Sequence, residues 1–202
     1  MRPPKLAVPP GRAGRIWLAR RLETARRGAD LLDRKLRILQ GELARLQAAA
    51  ATTSAQWAQC EAGARSSLLR AALLGGERAI RLAADDQAAD VQVCYAATMG
   101  IRYPAGATCA IPPAATWDSP VVARARDAHR AALAAAAQHA AATAAVRALR
   151  EEVRATRYRL RAVKDRWIPR LEQALAEVTF TIEELERADA ARLRRAVGPS
   201  RP

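Results

Sequence analysis

The stretch LARRLETARRGADLLDRKLRILQGELARL, residues 18–46, places small or apolar side chains at alternating steps of four and three. The series runs Leu18, Leu22, Ala25, Ala29, Leu32, Leu36, Leu39, Leu43 and Leu46. It then continues through Ala50, Thr53, Trp57, Cys60 and Ala64, and more weakly through Ser67, Ala71 and Leu74. A repeat of seven with apolar residues at two positions keeps one stripe facing a partner helix and imposes a left-handed supercoil. No proline interrupts it between Pro10 and Gly75-Gly76. A helix this long, on the order of 90 Å at the usual rise per residue, is not stable alone in water and needs a partner.

The partner lies in the last third of the chain. Ser119 before Pro120 predicts an N-cap followed by proline at the first helical position. The helical pattern then runs to a stop at Val197-Gly198-Pro199. Its apolar series is Val146, Leu149, Val153, Thr156, Leu160, Val163, Trp167, Leu171, Leu175, Val178, Ile182 and Leu185. The alternation fails between Trp167 and Leu175, and Pro169 sits inside the break. A proline there removes a backbone hydrogen bond and predicts a kink. With the helices antiparallel and their ends aligned, Trp57 falls opposite the alanine-rich stretch 131–145, and Gly28 falls near Pro169.

Between the two helical sections, Val91, Val93 and Tyr95 alternate as in a strand, and Ile101-Arg102-Tyr103-Pro104 follows Gly100. These residues predict a short helical turn over 77–84 and then a small hairpin, which is marginal in isolation and must pack on something. The expected architecture is therefore all-α. It is a long antiparallel two-helix coiled coil with a small mid-chain helix and β-hairpin excursion, divided at 12–74, 75–118 and 119–197.

Composition agrees. Half of the 202 residues are hydrophobic, but there is a single Phe, and half of the apolar residues are alanine. Alanine favours helix while burying little area, which fits thin helical packing better than a layered sheet. A net charge of +14 and a pI near 11.2 predict attraction to polyanions, whether nucleic acid, anionic lipid or an acidic protein surface. The cations gather at Arg20, Arg21, Arg26, Arg27, Arg34, Lys35 and Arg37, and again at Arg157, Arg159, Arg161, Lys164 and Arg166. Cys60, Cys94 and Cys109 form no paired motif, which predicts reduced thiols and a cytoplasmic setting. The N-terminus carries no apolar signal segment, and the alanine run 131–146 is too short and too polar to span a bilayer.

Chemistry-bearing motifs are missing: there is no phosphate-binding glycine loop and no HExxH. His129 and His139 are ten residues apart with no carboxylate or thiol cluster beside them. Asp85-Asp86 predicts a solvated turn, and Glu183, Glu184 and Glu186 an acidic helix face. No catalytic, cofactor-binding or metal residue is expected.

Four segments together resemble the D subunit of the V-type and A-type ATPases and ATP synthases. They are Arg20-Arg21-Leu22 through Gly28 with Leu31-Leu32-Asp33-Arg34-Lys35; Thr98-Met99-Gly100-Ile101-Arg102-Tyr103-Pro104; Arg159-Leu160-Arg161-Ala162-Val163-Lys164 with Ile168-Pro169-Arg170-Leu171-Glu172; and Ile182-Glu183-Glu184-Leu185-Glu186. They follow the family's order over nearly the whole chain. The sequence departs from the family pattern at Arg161, where Asn is usual, at Lys164, where Glu is usual, and at Asp33, which replaces a basic residue. The resemblance implies a non-catalytic central-stalk rotor component that transmits torque between a membrane ion-translocating ring and a catalytic head. It implies as partners the A and B subunits of the head, the F subunit and the funnel-shaped C (or d) subunit. It also implies a place on the cytoplasmic side of the cell membrane, reached only through the complex, and no cofactor. The residues it carries over as shaft or partner contacts are Arg26, Arg27, Gly28, Met99, Gly100, Arg159, Ile168 and Pro169. A basic coiled-coil nucleic-acid-binding protein and a generic coiled-coil adaptor remain the alternatives.

Overall fold

The computed structural model describes residues 7–83, 88–113 and 119–198. Asp85, Asp86 and Pro199 lie outside the described residues. Of the described residues, 82% are helical. In order it forms helix α1 (Gly11–Leu82), strands β1 (Asp90–Thr98) and β2 (Ile101–Ala110), helix α2 (Pro120–Arg161), a π-helical turn (Ala162–Trp167) and helix α3 (Ile168–Val197). It divides into two compact units, Met1–Leu36 with Ala155–Pro202, and Arg37–Arg154.

In the first unit, Leu18, Leu22 and Leu171 form the buried centre, with Ala25, Trp167, Ile168, Leu175 and Val178 packed around them. Burying each such leucine contributes about 1.5–3 kcal/mol before entropic costs. Among the described residues, ion pairs join α1 to the C-terminal segment at Arg12 and Glu186 (2.6 Å), Arg26 and Glu172 (2.7 Å), and Asp33 and Lys164 (3.7 Å). Numbers rise on one side as they fall on the other, so the two segments run in opposite directions here. All six side chains are at least 38% exposed. Such pairs contribute at most about 1 kcal/mol each. The leucines hold this unit, and the ion pairs favour its register. Gly28 is half-buried in α1, and the register brings it level with Pro169 and Arg170, close to the expected pairing. A methyl group at Gly28 would nevertheless meet nothing within 4 Å.

Pro169 leaves a different mark from a simple kink. The Ile168 N–H donates to the Val163 carbonyl, five residues back instead of four. Proline offers no N–H and its ring crowds the carbonyl four residues earlier. The helix therefore widens on the N-terminal side of Pro169, and the π-helical turn takes up the residue that breaks the apolar alternation.

In the second unit the core is thinner. One cluster joins Leu46, Tyr103, Ala145, Val146 and Leu149, and another joins Ala71, Val122 and Ala125. Trp57 stacks on His139 with ring centroids 5.5 Å apart and planes 16° from parallel, as its expected place opposite 131–145 requires. The His139 ring also meets the Thr53 hydroxyl at 3.2 Å. At the start of α2, the Ser119 hydroxyl accepts from the Val122 N–H at 3.4 Å, fulfilling the expected cap. Near its C-terminal end α1 breaks at Gly76, whose φ of 73° lies in the left-handed region that glycine enters without steric cost. The single helical turn expected over 77–84 is the last stretch of α1, ending at Leu82.

The strands pair antiparallel from Asp90↔Ala110 to Thr98↔Ile101, with an irregularity between Cys94 and Tyr95. Ala105 is the extra residue on β2, and Pro104, which cannot donate to the ladder, sits beside it. The alternating apolar residues of β1 do not form the buried face. Val91, Val93 and Tyr95 are exposed, while Tyr103 and Ala107 of β2 turn inward.

Candidate functional site

The described residues contain no group of three His, Cys, Asp or Glu side chains arranged to hold a metal ion. His129 Nδ1 lies 2.8 Å from the Ala125 carbonyl within its own helix, and His139 is occupied by Trp57 and Thr53. Two surfaces stand out among the described residues.

The first surface is the hairpin tip. Thr98 and Ile101 are paired, so Met99 and Gly100 make a two-residue turn with φ of 52° and 82°. Positive φ at both central residues suits the right-handed twist of the flanking strands. Glycine adopts it freely, whereas a methionine there costs about 1–2 kcal/mol. Met99 carries that strain while remaining 46% exposed, so its side chain gains little burial within this chain. Arg102 lies over the Tyr95 ring at 4.2 Å on the exposed side of the hairpin.

The hairpin is held to α1 by a polar lock that sequence reasoning missed. The Tyr103 hydroxyl donates to Glu42 Oε1 at 2.6 Å, and Arg45 grips the same carboxylate through two nitrogens at 2.6 and 3.0 Å. The Arg45 guanidinium, then the Tyr103 hydroxyl, lower the Glu42 pKa from 4.5 to about 2. Ionised Glu42 is thus favoured in the folded unit. Its contribution is complete above its ordinary pKa and is lost as the pH falls toward 2. Tyr103→Phe is expected to destabilise this unit by about 1–3 kcal/mol at neutral pH. The difference from the unchanged chain should shrink as urea unfolding is repeated from pH 5 downward, and a pH-independent difference would contradict the lock.

The second surface lies in the first unit, where Arg26, Arg27, Gly28, Arg159, Ile168 and Pro169 are placed; Met99 and Gly100 belong to the other unit. Arg26 pairs with Glu172, and Arg27 pairs with Glu23 one turn back at 3.1 Å. Ile168 is partly buried against the leucine cluster, whereas Pro169 and Arg159 are exposed. Asp33 and Lys164, two departures from the family pattern of opposite sense, face each other as an ion pair. The sequence reading also missed a groove lined by Ile16, Trp17, Arg20, Arg21, Thr24 and Trp167, with a volume of about 700 Å³. The Arg21 guanidinium lies 5.0 Å from the Trp17 ring and 5.9 Å from that of Trp167. The sequence signal was the Trp17–Arg21 spacing of one helical turn, which is too common to stand out.

Among the described residues, no helix is long and apolar enough to cross a membrane. No individual curated protein matches the sequence. The family described as the D subunit of ATP synthase matches residues 16–198, which takes in both units and the hairpin. The chain belongs to this family, the D subunits of the V/A-type ATPases.

Proposed function

We propose that the chain is the central-stalk rotor component of a V/A-type ATP synthase or ATPase, a non-catalytic part that carries torque between the membrane ring and the catalytic head. Family membership implies assembly within an ATP synthase complex, and its span over residues 16–198 is the observation that carries the reading. The torque element would be an antiparallel two-helix coiled coil made of α1 with α2 and α3. The opposed ion pairs and the leucine cluster of the first unit support it, because interlocked side chains resist untwisting. In this reading residues 12–74 and 119–197 are the shaft and 75–118 the excursion. The A and B subunits of the head, the F subunit and the funnel-shaped C (or d) subunit are the partners, on the cytoplasmic side of the membrane. Arg26, Arg27, Gly28, Arg159, Ile168 and Pro169 serve as shaft contacts, and the strained Met99-Gly100 tip meets a neighbouring component.

The widened turn beside Pro169 gives the shaft one uneven segment, which presses differently on the subunits around it and biases their nucleotide states in turn. The test is a reconstituted complex with a bead attached through a cysteine introduced at the exposed Arg192. ATP should drive rotation of the bead relative to an immobilised head. A bead that stays fixed to the head during sustained hydrolysis would sink the reading. In the same preparation, Pro169→Ala should lower ion-coupled turnover more than uncoupled hydrolysis, and equal rates for both would remove Pro169 from the mechanism.

A further inference from the structure

We propose that the β-hairpin is a strap that sets the register of α1 against α2 along the alanine-rich stretch 131–145. Such a strap works within the second unit, and its test is independent of the rotor reading. Three observations support it.

The first is that the stretch is poorly equipped to set its own register. It reads AALAAAAQHAAATAA, and a row of methyl groups presents nearly the same surface after a slide of seven residues. Paired helices fix their register through seam residues that lose a partner when shifted, such as a polar group or a bulky side chain in its hole. The Trp57–His139 stack marks one level within the stretch, yet Trp57 remains 36% exposed.

The second is where the hairpin holds. At one end of the stretch Tyr103 is buried among Leu46 of α1 and Ala145, Val146 and Leu149 of α2, so one side chain engages both helices. Its hydroxyl donates to Glu42 of α1. At the other end Arg130 of α2 donates to the Pro112 carbonyl, just beyond β2. Pro112 and Pro113 stiffen this exit, because each fixes its own φ and restricts the residue before it. Arg130 and Ala145 thus bracket the stretch.

The third is what lies between the holds. A cavity of about 490 Å³ is lined by Cys94, Gly106 and Thr108 of the hairpin and by Ala49, Gln138 and Ala142 of the helices. The hairpin arches over this part and grips at its two ends. Sliding α2 by one heptad carries Arg130 about 10 Å away from Pro112. The same slide draws Val146 and Leu149 off Tyr103, while Glu42 keeps that ring on α1.

The experiment reads register by disulfide formation in the full chain, with Cys94→Ser and Cys109→Ser leaving Cys60 as the one native thiol. The Trp57–His139 stack puts Cys60 level with Ala136, one turn on in each helix. Cys60 with Ala136→Cys therefore reports the native register. Cys60 with Thr143→Cys, or with His129→Cys, reports a slide of one heptad in either direction. The native disulfide should dominate in the otherwise unchanged chain. Tyr103→Phe combined with Arg130→Met should cut that preference by about tenfold or more, the factor expected when hydrogen bonds to charged groups are lost. Arg130→Met alone should produce part of the change, and Arg130→Lys, which keeps a donor, less. Val122→Ala thins the core of the same unit away from both holds and should leave the preference near its unchanged value. Helical circular dichroism checks each variant, and Arg130→Met alone decides the matter should the double variant misfold. A native preference that survives the loss of both holds overturns the proposal. So does an equal rise of the shifted disulfides in Val122→Ala, because slippage would then follow from lost stability alone.

Discussion

Deleting Asp165 should leave the chain folded, whereas deleting Thr24 should unfold the unit that contains both residues. Each deletion removes one exposed helical residue, so composition alone predicts no difference. The difference lies in the phase. Losing one residue from an α-helix turns everything beyond it by about 100°. In α1 the apolar steps alternate four and three without a surplus, so the loss of Thr24 swings Ala25, Ala29 and Leu36 away from the side where Leu18 and Leu22 meet Leu171. If the longer part of α1 keeps its place, Leu18 and Leu22 leave the core instead, at about 1.5–3 kcal/mol each, which is a large part of the ordinary 5–15 kcal/mol of a folded domain. The C-terminal series from Val146 to Leu185 holds one residue more than strict alternation requires, because three steps of four run together from Val163 to Leu175. The π-helical turn absorbs that residue. Removing Asp165 shortens the Ile168-to-Val163 span from five residues to four, an ordinary helical bond, and keeps Leu171 and Ile182 in phase. Urea unfolding followed by circular dichroism should show a shift below about 1 kcal/mol for the Asp165 deletion and loss of the unit's cooperative transition for the Thr24 deletion. Equal damage from both would mean that the widened turn is not taking up a surplus residue.

Leu149→Ala should cost about 3–5 kcal/mol, the upper part of the range for leucine truncation. Leu149 is fully buried, with Leu46, Tyr103, Ala145 and Val146 around it. Three features raise the cost. The neighbours come from α1, α2 and the hairpin, so the cavity is walled on several sides. Ala145 is already as small as a side chain with a Cβ can be and cannot spread to fill it. Tyr103 is tied through its hydroxyl to Glu42 and is not free to follow. Leu73→Ala, at a position 76% exposed, should change stability by no more than about 0.5 kcal/mol. A Leu149→Ala loss near 1 kcal/mol at an unchanged denaturant slope would show that the thin unit collapses into the gap.

The long helices were legible in the sequence because a repeat near 3.5 residues is a one-dimensional signal. Leu18, Leu22, Leu36, Leu39 and Leu46, all named from spacing, are all buried. The hairpin was legible as strands but not as to which side it buries. Val91, Val93 and Tyr95 stay exposed, while Tyr103 turns inward and reaches Glu42, 61 residues away. No local pattern encodes a contact of that range. The proline and the break in the apolar alternation were visible, but the π-helical turn that precedes it was not, since the carbonyl it crowds lies one turn earlier. At the candidate surfaces the basic residues were evident, but Trp17 sits one residue off the apolar series. It met Trp167 in a single groove only once the chain had folded back.

The alanine layers around Ala71, Ala125 and Ala145 give the second unit a mutational sensitivity opposite to that of the leucine cluster around Leu18 and Leu171. Where a methyl group already fills the space between backbones, a smaller residue removes little, and any bulkier one acts as a wedge. Sequence drift at those positions is therefore confined from above by size, while at the leucines it is confined from below. Two stretches of the same helix age by different rules.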